Sequence, residues 1–205
     1  SAESFRSQRS AQETSPRWGG GRMVFIASYW QLDSSPRVRV FTNAEEVELL
    51  LNGKSLGVQK NDTSDVAKRN MIYWQAVPYQ AGKITAIAHT NGKEIARHEL
   101  VTTGAAVALK IETENASWKA DGMDLQYVKV YAIDSKGRQV PTLSGPGVSF
   151  QLSGAANLVA VDNGDHYSDE LFNTNKRKLH NGFAQGILRS QQTAGEVTIK
   201  VATPG

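Results

Sequence analysis

The stretch spanning residues 38–57, VRVFTNAEEVELLLNGKSLG, constrains the fold more than any other part of the chain. Val38 and Val40 alternate with Arg37 and Arg39, and Val47, Leu49 and Leu51 alternate with Glu46 and Glu48. That period of two is the pattern of half-buried strands, because successive side chains point to opposite faces. Asn52-Gly53 then supplies two residues that take positive φ at low cost, as a type I′ hairpin turn requires. No nucleophile, general base or metal-ligand set accompanies the hairpin, so it reads as scaffold.

The rest of the chain repeats this texture. Residues 1–22 are polar, carry Pro16 and the glycines 19–21, and show no sustained period, which predicts a flexible lead-in with Phe5 and Trp18 as its large apolar residues. Strands are expected at residues 23–30, 38–41, 47–51, 54–58, 71–77, 83–90 and 93–101, the last two joined by a second Asn-Gly turn at Asn91-Gly92. In 71–77, Ile72, Trp74 and Ala76 fall on one face. Residues 60–70 read as a loop with one helical turn started by Ser64. After Thr102-Thr103-Gly104 the pattern restarts, with strands at 107–113, 126–133, 148–152, 158–161, 181–190 and 196–202. Residues 162–180 are too long and polar for a plain turn, and a connection of that length is functional or packed on a neighbour. The expected fold is all-β, two tandem immunoglobulin-like β-sandwiches, with a lead-in at 1–22 and domains at 23–103 and 104–205.

Composition narrows the function classes. The 205 residues are 40% hydrophobic, enough for one large or two small cores. Twenty-three basic residues stand against 20 acidic ones, and no basic run is interleaved with aromatics, so no nucleic-acid partner is expected. There is no cysteine, which excludes disulfides, thiol catalysis and thiolate metal sites. No run of 18 apolar residues is present, so no membrane insertion is expected. The chain starts at Ser1, without an initiator Met or a leader pattern, and reads as a piece of a longer polypeptide.

Several short motifs carry a family resemblance. Asn43-Ala44-Glu45-Glu46-Val47-Glu48-Leu49 followed by Leu51-Asn52-Gly53-Lys54-Ser55-Leu56-Gly57 resembles the first C-terminal β-sandwich of bacterial family 2 glycoside hydrolases of the β-galactosidase type. Lys119-Ala120-Asp121-Gly122, Asp124-Leu125, Tyr127-Val128, Val161-Asp162-Asn163-Gly164-Asp165 and Asn181-Gly182 are similar to the second such module, a bacterial Ig-like domain. Phe5-Arg6-Ser7-Gln8-Arg9 resembles the end of the catalytic barrel that precedes them, whereas Tyr29-Trp30 stands where the family often has His-Trp. The resemblance implies a non-catalytic tail. Its partner would be the catalytic barrel of the same polypeptide, its further ligands β-linked glycans, and its setting periplasmic or secreted. The family's two catalytic glutamates belong to the barrel and match no position here, so this stretch is expected to be inactive by itself and to need no cofactor.

The residues offer few sites of their own. Glu45, Glu46 and Glu48 read as a charged strand face that discourages edge pairing rather than as a glycosidase pair. Asp162 and Asp165 flank Asn163-Gly164; turn building explains them, with a hard cation as the sharper alternative. Among the tryptophans, Trp74 reads as core. Trp30 with Tyr29, and Trp118 in a loop, are the candidates for stacking on a sugar, against interdomain packing. The histidines 89, 98, 166 and 180 lack ligand spacing. Lys176-Arg177-Lys178 reads as a solvated charge run, or as a contact to an acidic face of the barrel. Three functions fit: accessory domains of a retaining glycosidase, a carbohydrate-binding module with an aromatic sugar site, or an Ig-like stalk of a surface protein.

Overall fold

The computed structural model describes residues 6–10, 12, 20–65 and 67–203. The chain divides after Thr102 into two compact units, and each is all-β. The expected all-β, tandem sandwich class is what forms. Phe5 and Trp18 lie outside the described residues, as does most of the lead-in. Its described part is tied down rather than free: Ser7 is buried, Asn43 Nδ2 donates to the Arg9 carbonyl at 3.3 Å and Asn70 Nδ2 to Gln8 Oε1 at 3.3 Å.

The first unit holds strands β1 (Val24–Ile26), β2 (Val38–Thr42), β3 (Glu46–Leu51), β4 (Lys54–Lys60), β5 (Met71–Trp74), β6 (Lys83–Thr90) and β7 (Lys93–Val101). They form a three-stranded sheet in the order β1-β2-β5 and a four-stranded sheet in the order β4-β3-β6-β7. The central hairpin has the expected geometry: Asn52 and Gly53 take φ of 51° and 83°, and Asn91 and Gly92 take 52° and 71°. Period two then decides what is buried. Val47, Leu49 and Leu51 on β3 sit opposite Ala88, Ala86 and Ile84 on β6, so larger side chains mostly meet small ones across the ladder. These residues close on Val24, Ile26, Val38, Val40, Ile72 and Trp74 of the facing sheet in one continuous core. At about 1.5–3 kcal/mol for each fully buried aliphatic or aromatic side chain, this is the main stabilising contribution in the unit. β5 ends at Trp74, so Ala76 is exposed and Val77 takes the next inward place. The turn in the 60–70 loop starts at Asp65, whose carbonyl accepts from Arg69 N–H at 2.8 Å, one residue past the expected Ser64.

The second unit holds β8 (Ala108–Thr113), β9 (Leu125–Ile133), β10 (Gly147–Gly154), β11 (Ala156–Asp162), β12 (Lys176–Lys178), β13 (Phe183–Ser190) and β14 (Val197–Ala202). The sheets run β11-β13-β9-β8 and β12-β10-β14. β12 was not expected from the sequence; it pairs antiparallel with β10 and gives the long 162–180 stretch a strand of its own. The inward face of β9 reads Gln126, Val128, Val130, Ala132, all buried. The core is divided. One cluster gathers around Val130, Phe150, Val161, Leu179 and Ala184, and a smaller one around Val128, Ala156 and Leu188. The joint residue Gly104 is tied to this unit, its N–H donating to Asp134 Oδ2 at 3.1 Å.

Candidate functional site

The smaller cluster of the second unit borders a pocket of about 560 Å³. It exists because the sandwich is incompletely filled there. β8 is an edge strand whose residues are mostly exposed, Ile111 and Thr113 included, and the facing strand β14 offers only half-buried Val197, Ile199 and Val201. Val128 and Leu188 form an apolar wall, Ile199 the opposite one, and the β8–β9 connection at 113–120 contributes Trp118. That connection is pinned at its far end. Asp121 Oδ1 accepts from the N–H groups of Met123 and Asp124 at 2.8 Å each, and the Gly122 N–H donates to buried Ser190 Oγ at 3.1 Å. Lys119 N–H also donates to Asp124 Oδ2 at 2.9 Å.

Gln126 is the polar residue of this pocket that sequence reading passed over. It is 5% exposed, its Nε2 donates to the Asn115 carbonyl, and its Oε1 has no hydrogen-bond donor among the described residues. A signal was available: Gln126 stands in phase with Val128, Val130 and Ala132, where a β-sandwich normally places an aliphatic residue.

The 162–180 stretch is organised around Arg177, which is 1% exposed. Its Nη1 donates to the Glu170 carbonyl at 2.8 Å and its Nη2 to Asn163 Oδ1 at 3.0 Å; Asp162 and Glu170 carboxylates lie at 3.7 and 3.8 Å, and the guanidinium sits 5.0 Å over the Phe172 ring. The Lys176-Arg177-Lys178 run is therefore corrected from a solvated loop to a strand with a buried middle residue, since period two turns Arg177 inward and leaves both lysines outside. Asp162 Oδ1 also accepts from the N–H groups of Asn163 and Gly164, and Asp165 Oδ1 from that of Tyr167 at 3.0 Å. Their oxygens serve turns and the arginine, and among the described residues no cluster of three or more His, Asp or Glu has metal-binding geometry.

Trp30 is corrected as well. It lies beyond the end of β1 and folds back into the first unit's core at 2% exposure, its Nε1–H donating to the Gln80 carbonyl at 2.9 Å and its ring tilted against Tyr79 at 5.4 Å. No indole face is left for a sugar. Tyr29 is half-buried beside it, and its carbonyl accepts from Ser28 and Ser34 hydroxyls at 3.0 and 2.9 Å. Trp118 lies in the second unit, half-buried at its pocket.

Four aspartates, Asp62, Asp65, Asp121 and Asp134, are tuned toward the charged form. The Arg138 guanidinium, 2.6 Å from Asp134 Oδ2, holds buried Asp134 far below the usual carboxylate range, helped by the N–H groups of Arg138, Gly104 and Lys136. Asp121 is lowered by the Met123 and Asp124 N–H groups, Asp62 by Ser64 and Asp65 by Lys68. A glycosidase's general acid needs the reverse shift.

Comparison with known proteins places this architecture. A family model described as glycoside hydrolase family 2 C-terminal domain 5 matches residues 109–205, and one described as a domain of unknown function (DUF4982) matches residues 34–96. The chain is 27% identical over 191 residues to beta-galactosidase BoGH2A of Bacteroides ovatus, covering 92% of this chain and 22% of that protein. It is 29% identical over 195 residues to a beta-galactosidase of Thermoanaerobacter pseudethanolicus, covering 88% and 24% respectively. The chain thus spans less than a quarter of the length of these relatives. Among solved structures, a glycosyl hydrolase family 2 member from Bacteroides cellulosilyticus superposes with a TM-score of 0.79 at 26% identity, over 94% of this chain and 30% of that one.

Proposed function

We infer that this chain, which belongs to the C-terminal domains of glycoside hydrolase family 2, is the non-catalytic tail of a retaining glycosidase of the β-galactosidase type and buttresses its catalytic barrel or the entrance to it. One observation carries the reading: the tandem aligns almost end to end with about a fifth of the Bacteroides ovatus beta-galactosidase, whose remaining length has no counterpart here. The chemistry agrees. Retaining hydrolysis needs one carboxyl kept protonated beside an ionised one about 5–5.5 Å away. Asp62, Asp65, Asp121 and Asp134 are instead held ionised by structural donors. A periplasmic or secreted location belongs to the same proposal.

Two experiments test it. The isolated chain, offered chromogenic β-galactosides, β-glucosides and β-glucuronides, is expected to release no chromophore, and turnover abolished by no contaminant control would overturn the reading. The gene's upstream sequence should encode a barrel with two glutamates in the active site. Further Ig-like repeats in that place would make the tandem a stalk instead.

A further inference from the structure

Gln126 carries an acceptor, Oε1, that the fold leaves without a donor among the described residues. Its neighbours in phase are valines and an alanine, and its cross-strand partner on β13 is Leu188, so an aliphatic side chain would complete the wall. Instead a carboxamide is buried with its Oε1 lacking a donor, and an acceptor in that condition destabilises the folded chain unless something supplies the missing hydrogen bond. It stands at a pocket whose volume of about 560 Å³ falls in the range of small-molecule sites, roughly 300–1,000 Å³.

We propose that this pocket binds one pyranose ring of a neutral glycan, with the Trp118 indole against the ring's apolar face and Gln126 Oε1 accepting one of its hydroxyls. The lining argues for that class. Trp118, Val128, Leu188 and Ile199 supply flat and aliphatic surface, while Ser190, Thr198 and the Gln126 amide supply neutral hydrogen-bonding groups. A purely apolar ligand would leave Gln126 Oε1 without a donor. An anion would find Lys119 offset by Glu196 on the same lining, and no buried cation. Because Oε1 is out of reach of solvent, the ring hydroxyl gains it by a small outward movement of the 113–120 connection, whose hold on the wall at that point is the Gln126–Asn115 contact. The site does not rest on the accessory reading, since a chain without a catalytic partner would carry the same pocket.

The test starts with the 205-residue chain on an array of neutral mono- and oligosaccharides, followed by titration of its amide NMR spectrum with the glycans retained and with methyl β-D-galactopyranoside and methyl β-D-glucopyranoside. Retention is expected, with saturable shifts confined to the signals of Trp118, Gln126, Ser190 and their neighbours and with competition by at least one methyl glycoside. Trp118→Ala and Gln126→Met should each weaken binding about tenfold, the scale of one lost stacking face or one hydrogen bond to a buried acceptor. Trp30→Phe should bind as the parent does. Absence of retention on every neutral glycan, shifts mapping elsewhere in the parent chain, failure of both methyl glycosides to compete, or full affinity in both pocket variants would each overturn the proposal, the mapping in the parent chain standing even if a variant misfolds.

Discussion

The first unit encloses one continuous core between its three-stranded and four-stranded sheets, whereas the second, with the same strand counts, divides its core and leaves a pocket at one end. The difference lies in what fills the gap between sheets. In the first unit Trp30 folds back to join Trp74 inside, and β3 and β6 are inward-buried along their length. In the second unit no tryptophan is fully buried; Trp118 reaches only the pocket's edge, and one of its largest buried side chains is an arginine. A sandwich filled by indoles is closed and offers its stability to whatever it carries. One completed by a guanidinium on one side and an orphaned amide on the other keeps specific polar requirements, and those are what a ligand can meet.

Breaking this contrast should cost most in the first unit. Trp30→Ala empties a buried indole site and is expected to lower stability by about 3–5 kcal/mol, read as a shift of the urea midpoint. A stable Trp30→Ala chain would mean that the core is not closed by this residue. In the second unit Arg177→Met should cost about 3 kcal/mol, the lower end for breaking a buried pair, because Asp162 and Glu170 keep some contact with water and Asn163 Oδ1, losing the guanidinium, keeps the Asp165 N–H as donor. Gly186→Ala probes the packing of the same unit. A Cβ there would meet Phe150 and Leu158 at 3.1–3.2 Å, so about 1–3 kcal/mol of overpacking is expected in thermal unfolding.

Smaller effects sharpen the picture. Asn52→Ala places a side chain without a carboxamide at φ 51° and removes the acceptor for Lys83 N–H, a loss of about 1–2 kcal/mol that Asn52→Gly should partly restore. Asp134 gives a pH signature. Its folded-state pKa is depressed, so its contribution is fully present above the unfolded value near about 3.9 and is lost as pH falls through the lower folded value. Asp134→Asn should therefore lower the denaturation midpoint at neutral pH, and the gap between the two proteins should narrow below about pH 4. An equal gap at pH 7 and pH 3 would show that the ion pair with Arg138 is not its source.

Much of this architecture was legible locally. Alternation marked β2, β3, β9, β10 and their inward faces, and the pairs Asn52-Gly53 and Asn91-Gly92 declared two hairpins, because a type I′ turn is a property of two residues and needs no distant partner. The candidate pocket was only partly legible. Trp118 drew notice as an indole in a loop, but Gln126 was hidden in a strand whose other residues fit, and only its phase could have exposed it.

What the amino-acid sequence determined by itself is therefore the class of fold, the principal hairpins and which face of most strands turns inward, since these follow from short-range sterics and from a period of two. Tertiary structure alone decided three things: that Trp30 turns back onto the Gln80 carbonyl, that Arg177 in a run of three cations becomes core, and that the space beside Trp118 stays open. Each depends on groups 14 to 68 positions away, from Asn163 against Arg177, through Gln80 against Trp30, to Ser190 against Gly122 at the end of the connection that carries Trp118. The free energy of burying a side chain is set by the neighbours that chain folding brings to it, and those neighbours leave no periodic trace in the residues around it.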